Sequence, residues 1–140
     1  MKADSAGLET AGEELLFFSG EAELIPVYLK LRAEILALFP DSEVRVQKSQ
    51  ISFRCPHPYA WVWTLGSHGR KSKESPFMFV TFAAPFPIEG PLIHTKTEPY
   101  PGRWTHHVAV SEPDEITVEL LGLIQASQAF RNTSKKRSSS

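Results

Sequence analysis

Aromatic and basic side chains recur along the strand-like middle of the chain, at spacings that favour binding of a flat or anionic ligand. Trp61 and Trp63 are two residues apart, so in a strand their side chains point to the same face. Trp104 and His106 share a face of a later segment in the same way. Indole rings stack on flat ligands and basic groups attract anions, so we predict an aromatic pocket with a cationic rim. The predicted ligand-binding residues are Lys48, Arg54, Trp61, Trp63, Lys96, Arg103, Trp104 and His106.

The alternative role for these tryptophans is core packing. Burial of an indole ring is worth several kcal/mol, and basic side chains can extend outward over a buried aromatic layer. The spacing does not choose between pocket and core. It does predict that Trp61 and Trp63 are buried together or exposed together, because they share a face.

Histidine and cysteine offer metal and nucleophile chemistry, but their spacing completes neither kind of site. His106 and His107 are neighbours in a predicted strand, so their rings point to opposite faces and cannot bind one metal ion together. Cys55 and His57 have no second cysteine or HExxH motif beside them, as a zinc site requires. Cys55 is predicted to lie on the buried face with Phe53. We predict no metal, no cofactor and no catalytic residue.

Two further catalytic signatures are absent from the sequence. No GxSxG segment forms a nucleophile elbow. The glycines at 66 and 69 precede Lys71-Ser72, but the spacing is not that of a phosphate-binding P-loop. The sequence therefore favours binding over catalysis.

Composition predicts one globular domain. The chain has 140 residues, is 41% hydrophobic, and contains a single cysteine, which cannot form an internal disulfide. Its first residues are acidic and do not resemble a secretion signal, and no apolar run is long enough to cross a bilayer. We therefore expect a cytoplasmic protein with no membrane segment.

Charge and composition also set the expected boundaries. The first 43 residues carry nine acids and three bases, whereas residues 44–140 carry seven acids and twelve bases. We expect a flexible N-terminus over 1–14, one domain over 15–131 and a flexible basic, serine-rich tail over 132–140. The basic excess in the strand region suits an anionic partner, although its size is ordinary for a soluble surface.

Hydrophobic periodicity predicts an α+β fold. Apolar residues at steps of three and four mark a helix over 21–39, with Pro26 in its opening turn. Ser111, Pro113 and Asp114 indicate the start of a second helix, whose apolar face continues to Phe130. Between them we expect an antiparallel, possibly curved sheet of five to six strands, with the N-terminal and C-terminal helices packed on it.

The strands are predicted from alternation and from turn residues. The segment at 77–84 is apolar on both faces, as is typical of a central strand covered on each side. The segment at 66–75 is predicted to be a loop. The six strand candidates are residues 44–46, 51–55, 59–65, 77–84, 92–97 and 103–110.

The order of these elements, with the motifs at 48–53 (Lys-Ser-Gln-Ile-Ser-Phe) and 103–108 (Arg-Trp-Thr-His-His-Val), resembles an uncharacterised bacterial domain family of about this length. The resemblance covers about residues 17–130. In that family the domain stands alone or ends larger proteins, some labelled predicted transport or restriction-associated. The resemblance implies a fold and no catalytic residue or cofactor. The long 66–75 loop departs from the compact family pattern.

These observations lead to one functional prediction and two alternatives. We predict a non-catalytic binding or interaction module, monomeric or homodimeric, whose aromatic and basic concavity takes a small anionic ligand or a protein partner. The first alternative is a nucleic-acid-associated domain that uses a basic loop and tail. The second is a small hydrolase with His106 or His107 as base. The basic residues of the first alternative are Arg70, Lys71, Lys73, Lys135, Lys136 and Arg137.

Overall fold

Over residues 12–66 and 77–138, the computed structural model has six antiparallel strands in one sheet. Side chains are described as far as residue 132. The helices are α1 (residues 12–17), α2 (Ile25–Leu38) and α3 (Val118–Ser138), with short 3₁₀ turns at Ala22–Leu24 and Pro113–Glu115. The strands are β1 (Glu43–Val46), β2 (Ile51–Arg54), β3 (Pro58–Thr64), β4 (Met78–Ala84), β5 (Thr95–Tyr100) and β6 (Arg103–Val110). The predicted α+β class is confirmed.

The strand order is β1-β2-β3-β4-β6-β5, and every neighbouring pair is antiparallel. The predicted central strand is confirmed as β4, which pairs with β3 and β6 and has every residue buried. Its apolar run needs cover on both faces. Helices cover one face, and aromatic side chains from neighbouring strands cover the other. Strands β1 and β5 are the edges.

The hydrophobic core lies between the sheet and the helices. Tyr28 of α2 packs near Phe53 of β2, with ring centroids 6.4 Å apart, and α3 packs on β3 and β4. Pro26 lies in the first turn of α2, as predicted, where its missing amide hydrogen leaves no helical bond unmade. The core side chains from the sheet are Ile51, Phe53, Tyr59, Ala60, Val62, Met78, Val80, Phe82, Val108 and Val110. Those from α2 and α3 are Val27, Tyr28, Leu31, Ile35, Leu120 and Ile124.

Polar side chains of α3 fix that helix to the sheet. Ser127 is fully buried; its hydroxyl donates to the Tyr59 carbonyl at 2.7 Å and accepts from the Ala83 amide at 2.9 Å. Gln128 Nε2 donates to the Cys55 carbonyl and Arg131 Nε to the Pro58 carbonyl, both at 2.8 Å. These bonds satisfy backbone groups at one end of the β3 and β4 ladder, so they set the position of α3 along the sheet.

Residues 12–24, which precede α2, are part of the packed structure. Glu14, placed in the N-terminal segment by sequence, is helical and buried. Its carboxylate accepts from the Tyr28 hydroxyl and, at 2.7 Å, from Arg32 Nε. Phe18 is fully buried against Tyr28, with ring centroids 5.2 Å apart. The interactions of Glu14 and Phe18 therefore attach α1 and the following turn to α2.

Two predicted boundaries are wrong. Ser111, Pro113 and Asp114 do mark the start of a turn, but the turn is 3₁₀ and its N-cap is Glu112 rather than Ser111. Helix α3 begins at Val118, where Thr117 Oγ1 accepts from the Leu120 amide. Strand β5 spans Thr95–Tyr100 rather than 92–97. It includes Pro99 because it is an edge strand with an irregular register there, so the missing amide hydrogen costs no ladder bond.

Smaller differences concern the ends and Cys55. Strand β2 ends at Arg54, so Cys55 lies just beyond the strand, where it is partly buried and packs against the core. Helix α3 continues to Ser138, past the predicted start of a tail at 132. The predicted basic loop residues and the tail side chains lie outside the described residues. None of the described helices is both long enough and apolar enough to cross a bilayer.

Candidate functional site

The sheet face away from the helices carries the candidate site. Strand alternation places Trp61 and Trp63 on this open face because Ala60 and Val62, between and beside them, point into the core. Both tryptophans are half-buried. The prediction that they share one environment is therefore confirmed, and that environment is the open face.

A groove of about 410 Å³ lies over strands β3, β4 and β6. This volume falls in the range of small-molecule sites, about 300–1,000 Å³. The described residues that line it are Gln50, Trp61, Trp63, Thr81, Arg103, Thr105 and His107. Among them are two large aromatic rings, one fixed positive charge and no carboxylate. An anion with a flat ring meets attraction from these groups and no opposing charge.

Trp63 is held in place by contacts on two sides. Its ring stacks on Phe79 of β4 with centroids 4.2 Å apart and planes 22° from parallel, and its edge meets the ring of His107 at 5.6 Å. Its Nε1 donates to Thr81 Oγ1 at 2.9 Å. Register explains these contacts, because Trp63 pairs with Phe79, and Thr81 pairs with His107 across β4 and β6. The groove wall is thus built before any ligand arrives.

Arg103 supplies the positive charge. Its Nε atom is buried and makes no hydrogen bond within the described part of the chain. Its guanidinium carbon lies 5.7 Å from the centre of the Tyr100 ring, a cation–π contact. Burial, and then the charge of Arg103, lower the pKa of Arg131. Arg103 lines the groove, and a guanidinium group can donate to an anion through its terminal nitrogens.

His107 presents a second polar group to the groove. Its Nδ1 lies 2.8 Å from Thr81 Oγ1. Burial lowers the pKa of His107 below the usual 6.5, and the nearby His94 lowers it further. The ring is therefore neutral at pH 7. A neutral imidazole carries one donor and one acceptor nitrogen, so the ring can recognise a polar ligand edge without adding charge.

Of the eight predicted site residues, Trp61, Trp63 and Arg103 line the groove together. His106 and Trp104 lie on the helix-covered face, one residue out of phase with Arg103, Thr105 and His107. His106 is fully buried and stacks on Phe82 with ring centroids 5.1 Å apart; its Nε2 accepts from the Ile88 amide at 2.9 Å. As predicted, His106 and His107 point to opposite faces.

The other three predicted residues lie outside the groove. Lys96 pairs with Glu89 at 2.7 Å and donates to the Ile88 carbonyl. Arg54 is 4.0 Å from Glu43 of β1. Lys48 is exposed in the turn between β1 and β2. Of the four predicted basic residues, Arg103 is therefore the one that lies among the described residues of the groove lining.

Four lining residues were not predicted: Gln50, Thr81, Thr105 and His107. The alternation of residues in β6 predicts the positions of two of them, Thr105 and His107. Val108 and Val110 are apolar core positions, so His106 and Trp104, two and four residues before Val108, belong to the same covered face, leaving Thr105 and His107 for the other. Thr81 is different. Its role depends on register across three strands, which no local pattern reveals.

Among the groove residues, Thr81 and His107 are the pair that most resembles a catalytic nucleophile with its base. Thr81 is only 5% exposed, and its oxygen already accepts the Trp63 hydrogen bond. No described carboxylate orients His107, as the third member of a catalytic triad would. No group of three or more metal-ligating side chains was found among the described residues.

Comparison with protein-family models identifies the chain as a member of the family described as domain of unknown function DUF5655, which matches residues 16–133. The match spans α2, all six strands and most of α3. Comparisons with curated proteins and with solved structures gave no match. The predicted membership of a domain family of unknown function is confirmed, and the groove is the basis for a functional proposal.

Proposed function

We propose that this domain is a binding module whose open-face groove takes a small ligand that carries a flat ring and a negative charge. The observation that carries the proposal is the composition of the groove: Trp61 and Trp63 beside Arg103, with no carboxylate among the described lining residues. Each of these groups contributes a separate part of recognition.

The flat ring is recognised by stacking. Trp63 already lies against Phe79 and Thr81, so binding does not have to order it. Trp61 shares its face and is half-buried, which leaves ring surface available to a ligand. Stacking on an aromatic side chain contributes about 1–3 kcal/mol for a nucleobase-sized ring.

The negative charge is recognised by Arg103. Guanidinium groups bind carboxylates and phosphates through paired, charge-assisted hydrogen bonds. Neutral His107 leaves Arg103 as the charge that decides ligand sign.

The experiment is isothermal titration calorimetry of the purified chain with naphthalene-2-carboxylate and with its uncharged analogue, naphthalene-2-carboxamide. We expect the carboxylate to bind more tightly. Arg103→Met should weaken carboxylate binding by at least about tenfold, and Trp61→Leu should weaken both ligands. The matched controls are Arg54→Met and Trp104→Phe, which change the same residue types outside the groove and should leave binding unchanged.

Two results would contradict the proposal. One is equal affinity for the carboxylate and the amide in the unchanged protein. The other is loss of binding in Trp104→Phe with retention in Trp61→Leu, which would place the site on the helix-covered face. Salt dependence addresses the nucleic-acid alternative: a short oligonucleotide whose affinity falls steeply with salt and survives Trp61→Leu and Arg103→Met would favour a basic surface elsewhere.

A further inference from the structure

The hydrogen-bond chain at the base of the groove has a fixed direction. Trp63 Nε1 is only a donor, so Thr81 Oγ1 accepts from it at 2.9 Å. The same oxygen lies 2.8 Å from His107 Nδ1. Thr81 has a single hydroxyl hydrogen and is 5% exposed, and His107 Nδ1 is the acceptor that the described residues offer to it.

The direction decides the tautomer of His107. If Nδ1 carried the proton, Thr81 would accept two hydrogen bonds and its own buried hydrogen would have no acceptor, which costs about 1–3 kcal/mol. If Thr81 donates to Nδ1, then Trp63 Nε1–H, the Thr81 hydroxyl and His107 Nδ1 all have hydrogen-bond partners. The neutral ring then carries its proton on Nε2, the nitrogen farther from the backbone. Since His107 lines the groove, Nε2–H is a donor available to a ligand.

The two donors of β6 are separated along the strand. His107 and Arg103 lie four residues apart on the same face, so their Cα atoms are about 13 Å apart at about 3.3 Å per residue. Thr105, between them, leaves a continuous floor. A single ring with an attached carboxylate is too short to contact both His107 and Arg103. A base joined to a phosphate through a sugar extends further.

We infer that the ligand of the groove is a nucleoside monophosphate, with its base stacked on the tryptophans, an acceptor on the base edge bound by His107 Nε2–H, and its phosphate bound by Arg103. This inference rests on the proposed function and specifies the ligand. Trp63 and Thr81 act as positioning residues, because they set which nitrogen of His107 carries the proton. Gln50, also in the groove, offers an amide that can both donate to and accept from a base edge.

The tautomer is tested first, without ligand, by long-range ¹H–¹⁵N NMR of the histidine rings at pH 8. We expect His107, assigned with His107→Phe, to be protonated on Nε2. Thr81→Val removes the hydroxyl and keeps the side-chain shape, so it should shift the ring toward the Nδ1 form or a mixture. Thr81→Ser keeps the hydroxyl and should retain the Nε2 form. A ring protonated on Nδ1 in the unchanged protein overturns the inference.

Ligand binding is then tested by calorimetry with adenosine 5′-monophosphate. We expect His107→Phe, which keeps a flat ring, to weaken binding about three- to tenfold, as one hydrogen bond is worth. Thr81→Val should weaken it similarly and Thr81→Ser should not. His57→Phe is the matched control, because His57 precedes β3 in the turn after β2 and lies outside the groove lining; it should bind like the unchanged protein.

Naphthalene-2-carboxylate separates this inference from the proposed function. It has a flat ring and a charge but no acceptor on its ring edge, so its affinity should not change in His107→Phe. If it binds through Trp61 and Arg103 while adenosine 5′-monophosphate does not bind, the nucleotide inference fails and the binding module stands. If neither compound binds, both fail. Equal affinity of the nucleotide for the unchanged protein and His107→Phe also overturns the inference.

Discussion

The two faces of the sheet use similar residues for different purposes. On the helix-covered face, His106 is fully buried, stacks on Phe82 and accepts a backbone hydrogen bond. On the open face, its neighbour His107 bonds to a side-chain hydroxyl and lines a groove. A shift of one residue along a strand therefore separates a structural histidine from a candidate recognition residue. The residue type alone does not distinguish the two roles, because the role depends on which face of the sheet the side chain lies on.

Neither face satisfies all of its buried polar groups. On the covered face, Ser127 supplies hydrogen bonds to two backbone groups at the ends of β3 and β4, but His106 Nδ1 is buried without a partner in the described structure. On the open face, the same holds for Arg103 Nε. The two unpartnered groups differ in charge, because burial lowers the pKa of His106 and so favours the neutral imidazole, whereas the guanidinium of Arg103 stays charged.

The largest expected contrast concerns apolar packing. Ile124→Ala should lower the free energy of unfolding by about 2–5 kcal/mol, because Ile124 is fully buried between α3 and the sheet. Trp61→Leu on the open face should lower it by about 1 kcal/mol or less, since the indole is only half-buried. Urea unfolding followed by far-ultraviolet circular dichroism measures both. Equal losses would mean that the open face contributes as much to the core as the covered face.

The next contrast concerns polar groups. Ser127→Ala should cost about 1–3 kcal/mol of stability, because it leaves the Ala83 amide and the Tyr59 carbonyl without their side-chain partner. Thr105→Val, in the groove lining, should change stability by about 0.5 kcal/mol or less. The same urea experiment compares them. A neutral Ser127→Ala would show that water replaces the serine, and that α3 is not fixed by these bonds.

A smaller effect concerns pH and the histidine of the covered face. Burial lowers the pKa of His106 below 6.5, the charges of Lys96 and His107 lower it further, and the Phe82 backbone and Glu89 partly oppose the shift. Between the two pKa values the unfolded chain binds more protons than the folded one. Stability contributed by neutral His106 is therefore present above about pH 6.5 and is lost as the pH falls below it.

The corresponding measurement is the urea midpoint at pH 7.5, 6.5 and 5.5. The unchanged protein should lose stability across this series, and His106→Phe should lose less, because phenylalanine can stack on Phe82 without a titrating group. His107 has a lowered pKa as well, so some acid sensitivity should persist in this variant. An identical pH dependence in both proteins would show that His106 does not carry the effect.

Sequence predicted the elements better than their ends. The two-residue period of β3 and the two-sided apolar run of β4 are direct consequences of strand geometry, so both strands can be predicted from the sequence. The predicted start of α3 is wrong because Ser111, Pro113 and Asp114 suit a 3₁₀ turn as well as an α-helix. Local capping chemistry marks a turn that begins there, and tertiary packing decides whether that turn continues as a helix.

The candidate site was predictable in part. Trp61, Trp63 and Arg103 were selected by residue type and spacing, and the structure brings them together. Trp104 and His106 were correctly given a common face, but that face is the covered one. The link from Trp63 through Thr81 to His107 joins residues on three strands. It depends on the register of β3, β4 and β6, which is a property of the folded sheet and not of any segment of the sequence.

The central claim, that the open face binds an anionic ring, is tested most directly by the indole N–H signals in a ¹H–¹⁵N NMR spectrum. The chain has three tryptophans: Trp61 and Trp63 line the groove, and Trp104 lies on the opposite face. On titration with naphthalene-2-carboxylate, the signals of Trp61 and Trp63 should shift in a saturable way while that of Trp104 stays in place. If all three signals stay in place, or if Trp104 shifts as much as the other two, the claim is contradicted.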